Sequence, residues 1–167
     1  MSFQSNDHFR DTRNHVSAAL VAGTTSTYTT TVTTAGVING KFVTTLGAQT
    51  NTASPTTDAT TGAAFVALGV NKTCALVFGQ NAAGAIKLAQ GPIIDTYTGV
   101  TTTVGAFKEA PQFPPLPDDF MPLAYALVRT APDASAWTPG TSSWTASGVS
   151  VTTFKNVSTL PDRPQIA

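Results

Sequence analysis

The sequence predicts an all-β protein, a β-sandwich or barrel preceded by a short N-terminal helix or arm. Three observations carry that prediction. About thirty of the 167 residues are threonine, a β-branched residue that favours strands over helices. The straight-chain residues that cover helix surfaces are scarce, and Glu109 is the single glutamate. Short β-prone runs recur between turns rich in glycine, proline and asparagine, a spacing that suits a sandwich or barrel.

The N-terminal stretch departs from this pattern. Asp7, His8, Arg10, Asp11, Arg13 and His15 concentrate charge, and Phe9, Val16, Ala19 and Leu20 follow at helical spacing. Asn6 or Asp7 can cap the start and Gly23 the end. The spacing predicts a helix over roughly 7–21. The expected organisation is a helical arm over 1–23 and a sandwich domain over 24–167. Such a helix needs a surface to pack on, so Phe9, Arg10, Arg13, Val16 and Leu20 are candidate partner-binding residues.

From Thr24 the period becomes two, and a strand is expected across Thr25–Thr33. Asn39-Gly40, between Val37-Ile38 and Lys41-Phe42-Val43, marks a tight hairpin because both central residues of a type I′ turn need positive φ. Residues 47–62 are small and polar and read as a loop; Ala63–Leu68 reads as a short strand. A second hairpin joins Ala75–Gly79 to Ala85–Ala89, with Gly84 in the left-handed position. The proline-rich residues 110–117 read as an extended crossover, because proline lacks the N–H that helices and interior strands require. Pro122–Arg129 is apolar on both faces, the mark of a buried central strand. Residues 131–148 form a loop carrying Trp137 and Trp144, and Val149–Val157 closes the pattern. Tryptophan is enriched at interfaces, so both are candidate partner contacts as well as candidate anchors of their own loop.

Composition excludes several classes. Nine basic and nine acidic residues balance to zero net charge, unlike a nucleic-acid module or a polybasic membrane-surface domain. Charged residues make up 11% of the chain, against about 25% in an average soluble domain. So bare a surface is expected to be covered by partners. No run approaches the ~18 apolar residues of a membrane span. Met1–Arg10 is polar and lacks a signal-peptide core, so synthesis in a cytoplasm is expected. Cys74 is alone, without a disulfide or CxxC partner, and reads as a small buried hydrophobe.

Catalytic and metal chemistry find little support. His8 and His15 are the only histidines, and both fall in the arm, so a Ser-His-Asp triad would have to borrow from it. His8, Asp11 and His15 share one face of the expected helix and form a possible metal set, but a solvated or partner-facing polar stripe is the favoured reading. Asp118-Asp119 could contribute oxygens to calcium, but adjacent residues usually point apart. No P-loop, GxGxxG or GxSxG pattern occurs. The expectation is a non-enzyme without cofactor or metal.

Three strings taken together resemble small structural proteins of tailed bacteriophages, of the capsid-decoration or head-fibre kind. They are CALVFGQNAAGAIKLAQGPI (74–93), PQFPPLPDDFMPLAYALVRT (111–130) and GTSSWTASGVSVTTFKNVSTLPDRP (140–164). The resemblance spans about residues 60–165. It implies a jelly-roll-like β-sandwich, assembled as homotrimers on the capsid exterior, with the major capsid protein and itself as partners and neither nucleic acid nor membrane. Its role would be to cement the shell. The alternative is a receptor-binding or fibre-tip module for host glycans, with Trp137, Trp144 and Tyr97 stacking on sugar rings.

Overall fold

The computed structural model describes residues 12–166. Among these, the regular elements are strands: β1 (Arg13–Asn14), β2 (Val21–Ala22), β3 (Thr27–Thr30), β4 (Gly36–Ile38), β5 (Lys41–Phe42), β6 (Gln49–Ala53), β7 (Lys72–Gln80), β8 (Ile86–Gln90), β9 (Ile94–Asp95), β10 (Met121–Thr130), β11 (Val149–Val151) and β12 (Lys155–Asn156). They form three sheets. One has the order β1-β4-β5 and another β2-β3-β6. The largest runs β11-β10-β7-β8, with β12 also on β10 and β9 also on β7.

The antiparallel pair β7–β10 is the spine, in register from Met121↔Gln80 to Arg129↔Thr73. The register shifts between Pro122 and Ala124, at a proline that cannot donate to a ladder and is tolerated near a strand start or bulge. Apolar residues on both faces let the pair be covered from both sides. Cys74, Leu76 and Phe78, with Ala124, Ala126 and Val128, face a core completed by Leu20, Tyr28, Leu68, Trp137, Trp144 and Phe154. On the opposite face Val77 and Tyr125 pack with Ala89 and Phe120, under Phe113, Leu116, Val157 and Leu160. Ala18, Ile38, Val43, Met121 and Leu123 form a smaller third cluster. Each large apolar side chain removed from water contributes about 1.5–3 kcal/mol, and the spine supplies Leu76, Val77, Phe78, Met121, Leu123, Tyr125, Leu127 and Val128 to the buried core.

Both hairpins form where expected. Asn39 (φ 50°) and Gly40 (φ 74°) turn β4 into β5. Gly84 (φ 88°) closes β7–β8, and Asn81 Oδ1 accepts the Ala85 N–H at 2.8 Å. Residues 110–117 carry no helix or strand, and the 131–148 loop is likewise irregular.

Four local expectations are corrected. Residues 12–21 contain no helix; the remainder of the expected helix, 7–11, lies outside the described residues. Instead β1 pairs with β4 and β2 with β3. Ala18 and Leu20 are buried on either side of Ala19, which sits at φ 46°. The Asn156 side chain clamps Leu20, accepting its N–H at 2.7 Å and donating to its carbonyl at 3.0 Å. These long-range bonds satisfy a backbone that an isolated helix would have had to satisfy locally. The polar loop over 47–62 contains β6, an exposed strand paired to β3. Thr30 Oγ1 and Thr29 Oγ1 accept the N–H groups of Gln49 and Asn51, each at 3.0 Å. Residues 63–68 bury Phe65 and Leu68 but make only isolated bridges, Thr57↔Ala64 and Leu68↔Trp137. The closing strand is split into β11 and β12.

Candidate partner-binding surface

A cleft of about 810 Å³ opens beside the spine. Thr12 and the β4–β5 hairpin residues Asn39 and Lys41 form one wall. Leu116, Pro117 and Asp118 form another, with Phe120 and Pro122, and Thr159 and Leu160 close it. The proline run makes a wall because several side chains hold it against the sheet. Phe113 packs edge-on to Tyr125 at 5.0 Å, Thr60 Oγ1 donates to the Pro115 carbonyl at 2.7 Å, and Asp119 Oδ1 accepts the Ala82 N–H at 2.8 Å. The lining is mixed: Leu116, Pro117, Phe120, Pro122 and Leu160 are apolar, Thr12, Asn39 and Thr159 are polar, and Lys41 and Asp118 carry the charges. The lining contains no histidine, cysteine or serine.

Large apolar side chains also stand in solvent. Phe42 is 84% exposed, Val100 73%, Val66 64% and Tyr97 59%. Phe42 lies on β5, with the His15 ring edge-on at 6.5 Å. Tyr97 and Val100 belong to a projecting hairpin, 96–107. It is held by the bridges Thr96↔Phe107 and Val100↔Thr103 and by the bond from Tyr97 N–H to the Ala106 carbonyl at 2.8 Å. Lys108 Nζ lies 5.7 Å from the centre of the Tyr97 ring.

The residues singled out from sequence have separate fates. Phe9 and Arg10 lie outside the described residues, as do His8 and Asp11. Arg13 is exposed on β1, its Nε 3.4 Å from His15 Nε2. Val16 is exposed, whereas Leu20 is fully buried in the main core. Trp137 and Trp144 are buried too, their rings 5.5 Å apart. Trp137 Nε1 donates to the Ser143 carbonyl at 2.8 Å and Trp144 Nε1 to that of Thr27 at 2.7 Å. Leu20 and both tryptophans thus anchor the chain to itself and offer no contact area to a partner. Sequence reasoning passed over Phe42, Val66 and Val100. Each occupies a β-prone run with no local mark to distinguish an exposed valine or phenylalanine from a buried one.

Reactive groups are sparse. Burial pushes the Cys74 thiol up to about 12, which leaves it protonated and inert. Among the described residues no three His, Cys, Asp or Glu side chains gather to hold a metal. Asp118 lines the cleft and Asp119 caps the neighbouring turn, so the two carboxylates do not converge on one point. Comparison with protein-family models, with curated proteins and with solved structures finds no match to this chain.

Proposed function

We propose that this protein is a non-enzymatic virion component of a tailed bacteriophage, a decoration or cement protein that binds the outside of the capsid as a homotrimer. The observation that carries the reading is the exposure of Phe42, Val66, Tyr97 and Val100 on a chain with only 11% charged residues. A surface that combines few charges with protruding apolar side chains is poorly suited to free solution and well suited to being covered. The resemblance of residues 60–165 to decoration and head-fibre proteins supports the same reading. A jelly-roll-like sandwich is the architecture this role would bring, and the all-β, three-sheet build of the chain is the coarser feature it shares. Three copies on one lattice axis would add weak contacts into one strong attachment.

The glycan-binding alternative loses its platform with Trp137 and Trp144 inside the core, which leaves Tyr97 as the one exposed ring of the expected three. The test is electron microscopy of capsids with and without the purified protein, together with light scattering of the protein alone. Ordered density on the outer shell and a trimeric mass are expected. A stable monomer that leaves capsids bare would overturn the proposal.

A further inference from the structure

The junction between the spine and the 96–107 hairpin contains three polar groups with no partner. Thr73 Oγ1, Thr96 Oγ1 and Arg129 Nε are each buried and make no hydrogen bond. Thr73 and Thr96 are 0% and 2% exposed. The register places them on one face. Thr73 and Arg129 are directly opposed on β7 and β10, and directly opposed residues place their Cβ atoms about 4.5–5.5 Å apart on one face. Thr73 is also opposed to Ile94 on β9. Thr96 lies two residues beyond Ile94, and its N–H bonds to the Asn71 carbonyl at 2.9 Å, so strand alternation returns it to the same face. The Arg129 guanidinium is fixed there. It lies 4.8 Å from the centre of the Phe107 ring, and NH1 donates to the Gly105 carbonyl at 3.1 Å. Phe107 is the bridge partner of Thr96.

We propose that these three groups hold one small hydrogen-bond acceptor, a halide ion or a water molecule, which pins the hairpin to the spine. Arg129 Nε can only donate, and the two hydroxyls can each turn a proton toward the same point. A buried water typically makes about three hydrogen bonds, here accepting from Arg129 Nε and one hydroxyl and donating to the other, whereas a halide would accept from all three. Charge favours the halide. Arg129 makes no ion pair among the described residues, where the one salt bridge is Lys72–Asp95. A half-buried guanidinium bonded only to a backbone carbonyl is stabilised by a nearby anion. The pinned element presents Tyr97 and Val100, so the site would govern how rigidly that apolar surface is displayed.

The test is a crystal structure of the full chain grown in sodium bromide, with anomalous data at the bromine edge. One peak within hydrogen-bond distance of all three atoms is expected. An anomalous signal there identifies the halide, and an ordinary peak without one identifies water; either supports the site. In solution the halide form predicts a melting temperature that rises from fluoride to bromide at constant ionic strength, and a Thr96→Val variant in which that rise is lost. The crystal measurement needs no variant and stands even if Thr96→Val fails to fold. No peak bridging the three atoms, or the three groups bonded instead to protein atoms, would overturn the proposal.

Discussion

Replacing Trp144 tests whether the tryptophan loop belongs to the core or to a partner. Its ring lies 5.5 Å from Trp137, 5.5 Å from Phe154 and 6.2 Å from Phe78, and its backbone N–H bonds to the Thr25 carbonyl at 3.1 Å. It therefore ties the 131–148 loop to both β3 and the spine. Trp144→Phe keeps an aromatic ring but gives up the indole N–H bond to Thr27. The Thr27 carbonyl retains the Gly23 N–H at 2.8 Å, so no acceptor is orphaned and the loss should be about 0.5–1.5 kcal/mol. Trp144→Ala also empties the centre of an aromatic cluster, and deletions of that size cost about 3–5 kcal/mol. For a chain of this length 1 kcal/mol moves the melting temperature by about 2–4 °C. The alanine variant should therefore melt roughly 6–20 °C lower. Urea unfolding followed by circular dichroism measures both variants without relying on tryptophan fluorescence. An alanine variant within about 0.5 kcal/mol of the parent, the range of exposed substitutions, would refute the burial argument and return Trp144 to the partner-binding surface.

Gly79→Ala should destabilise by about 1–3 kcal/mol, since a Cβ there would run into the Phe120 ring and the Met121 carbonyl; a parent-like urea midpoint would contradict that packing. Gly40→Ala should cost about 1–2 kcal/mol by forcing a side chain into the left-handed region, which thermal unfolding would register. Phe42→Ser and Val100→Ser should leave the urea midpoint within about 0.5 kcal/mol, and under the proposed function they should weaken self-association and capsid binding, as read by light scattering and co-sedimentation. Cys74 should resist a thiol reagent at pH 8 until urea unfolds the chain. Burial raises its folded pKa from the usual 9.0 to about 12. Its contribution to stability is therefore fully present below pH 9.0 and is lost as pH rises toward about 12, so alkaline titration of the urea midpoint should show a decline beginning near pH 9 that a Cys74→Ala variant shows less steeply. Asp95 runs the other way. Its hydrogen bond and charge pairing with Lys72 hold its carboxyl below the usual range, and the pair's contribution is lost only as pH falls through that lowered value. Because both partners are largely exposed, Asp95→Asn should be nearly silent at pH 7.

The sequence by itself determined the parts of this protein that are governed by local chemistry. Threonine abundance set the all-β class. Asn39-Gly40 and Gly84 placed two hairpins, because positive φ is cheap for few residue types and the turns need it. The apolar residues on both faces of Pro122–Arg129 marked the central strand, and four prolines kept 110–117 out of regular structure. The tertiary structure alone decided the rest. Val16, Ala19 and Leu20 have helical spacing, yet pairing of β1 with β4 and the Asn156 clamp draw that stretch into extended chain. Gln49–Ala53 has no apolar residue larger than Ala53 and became a strand because β3 supplied threonine hydroxyls and a ladder. Trp137 and Trp144 became core while Phe42 and Val100 became surface. No window of sequence contains that distinction, because burial depends on what approaches from distant parts of the chain. The same holds for Thr73, Thr96 and Arg129, which are spread over more than fifty residues and share one face only through the register of β7, β9 and β10.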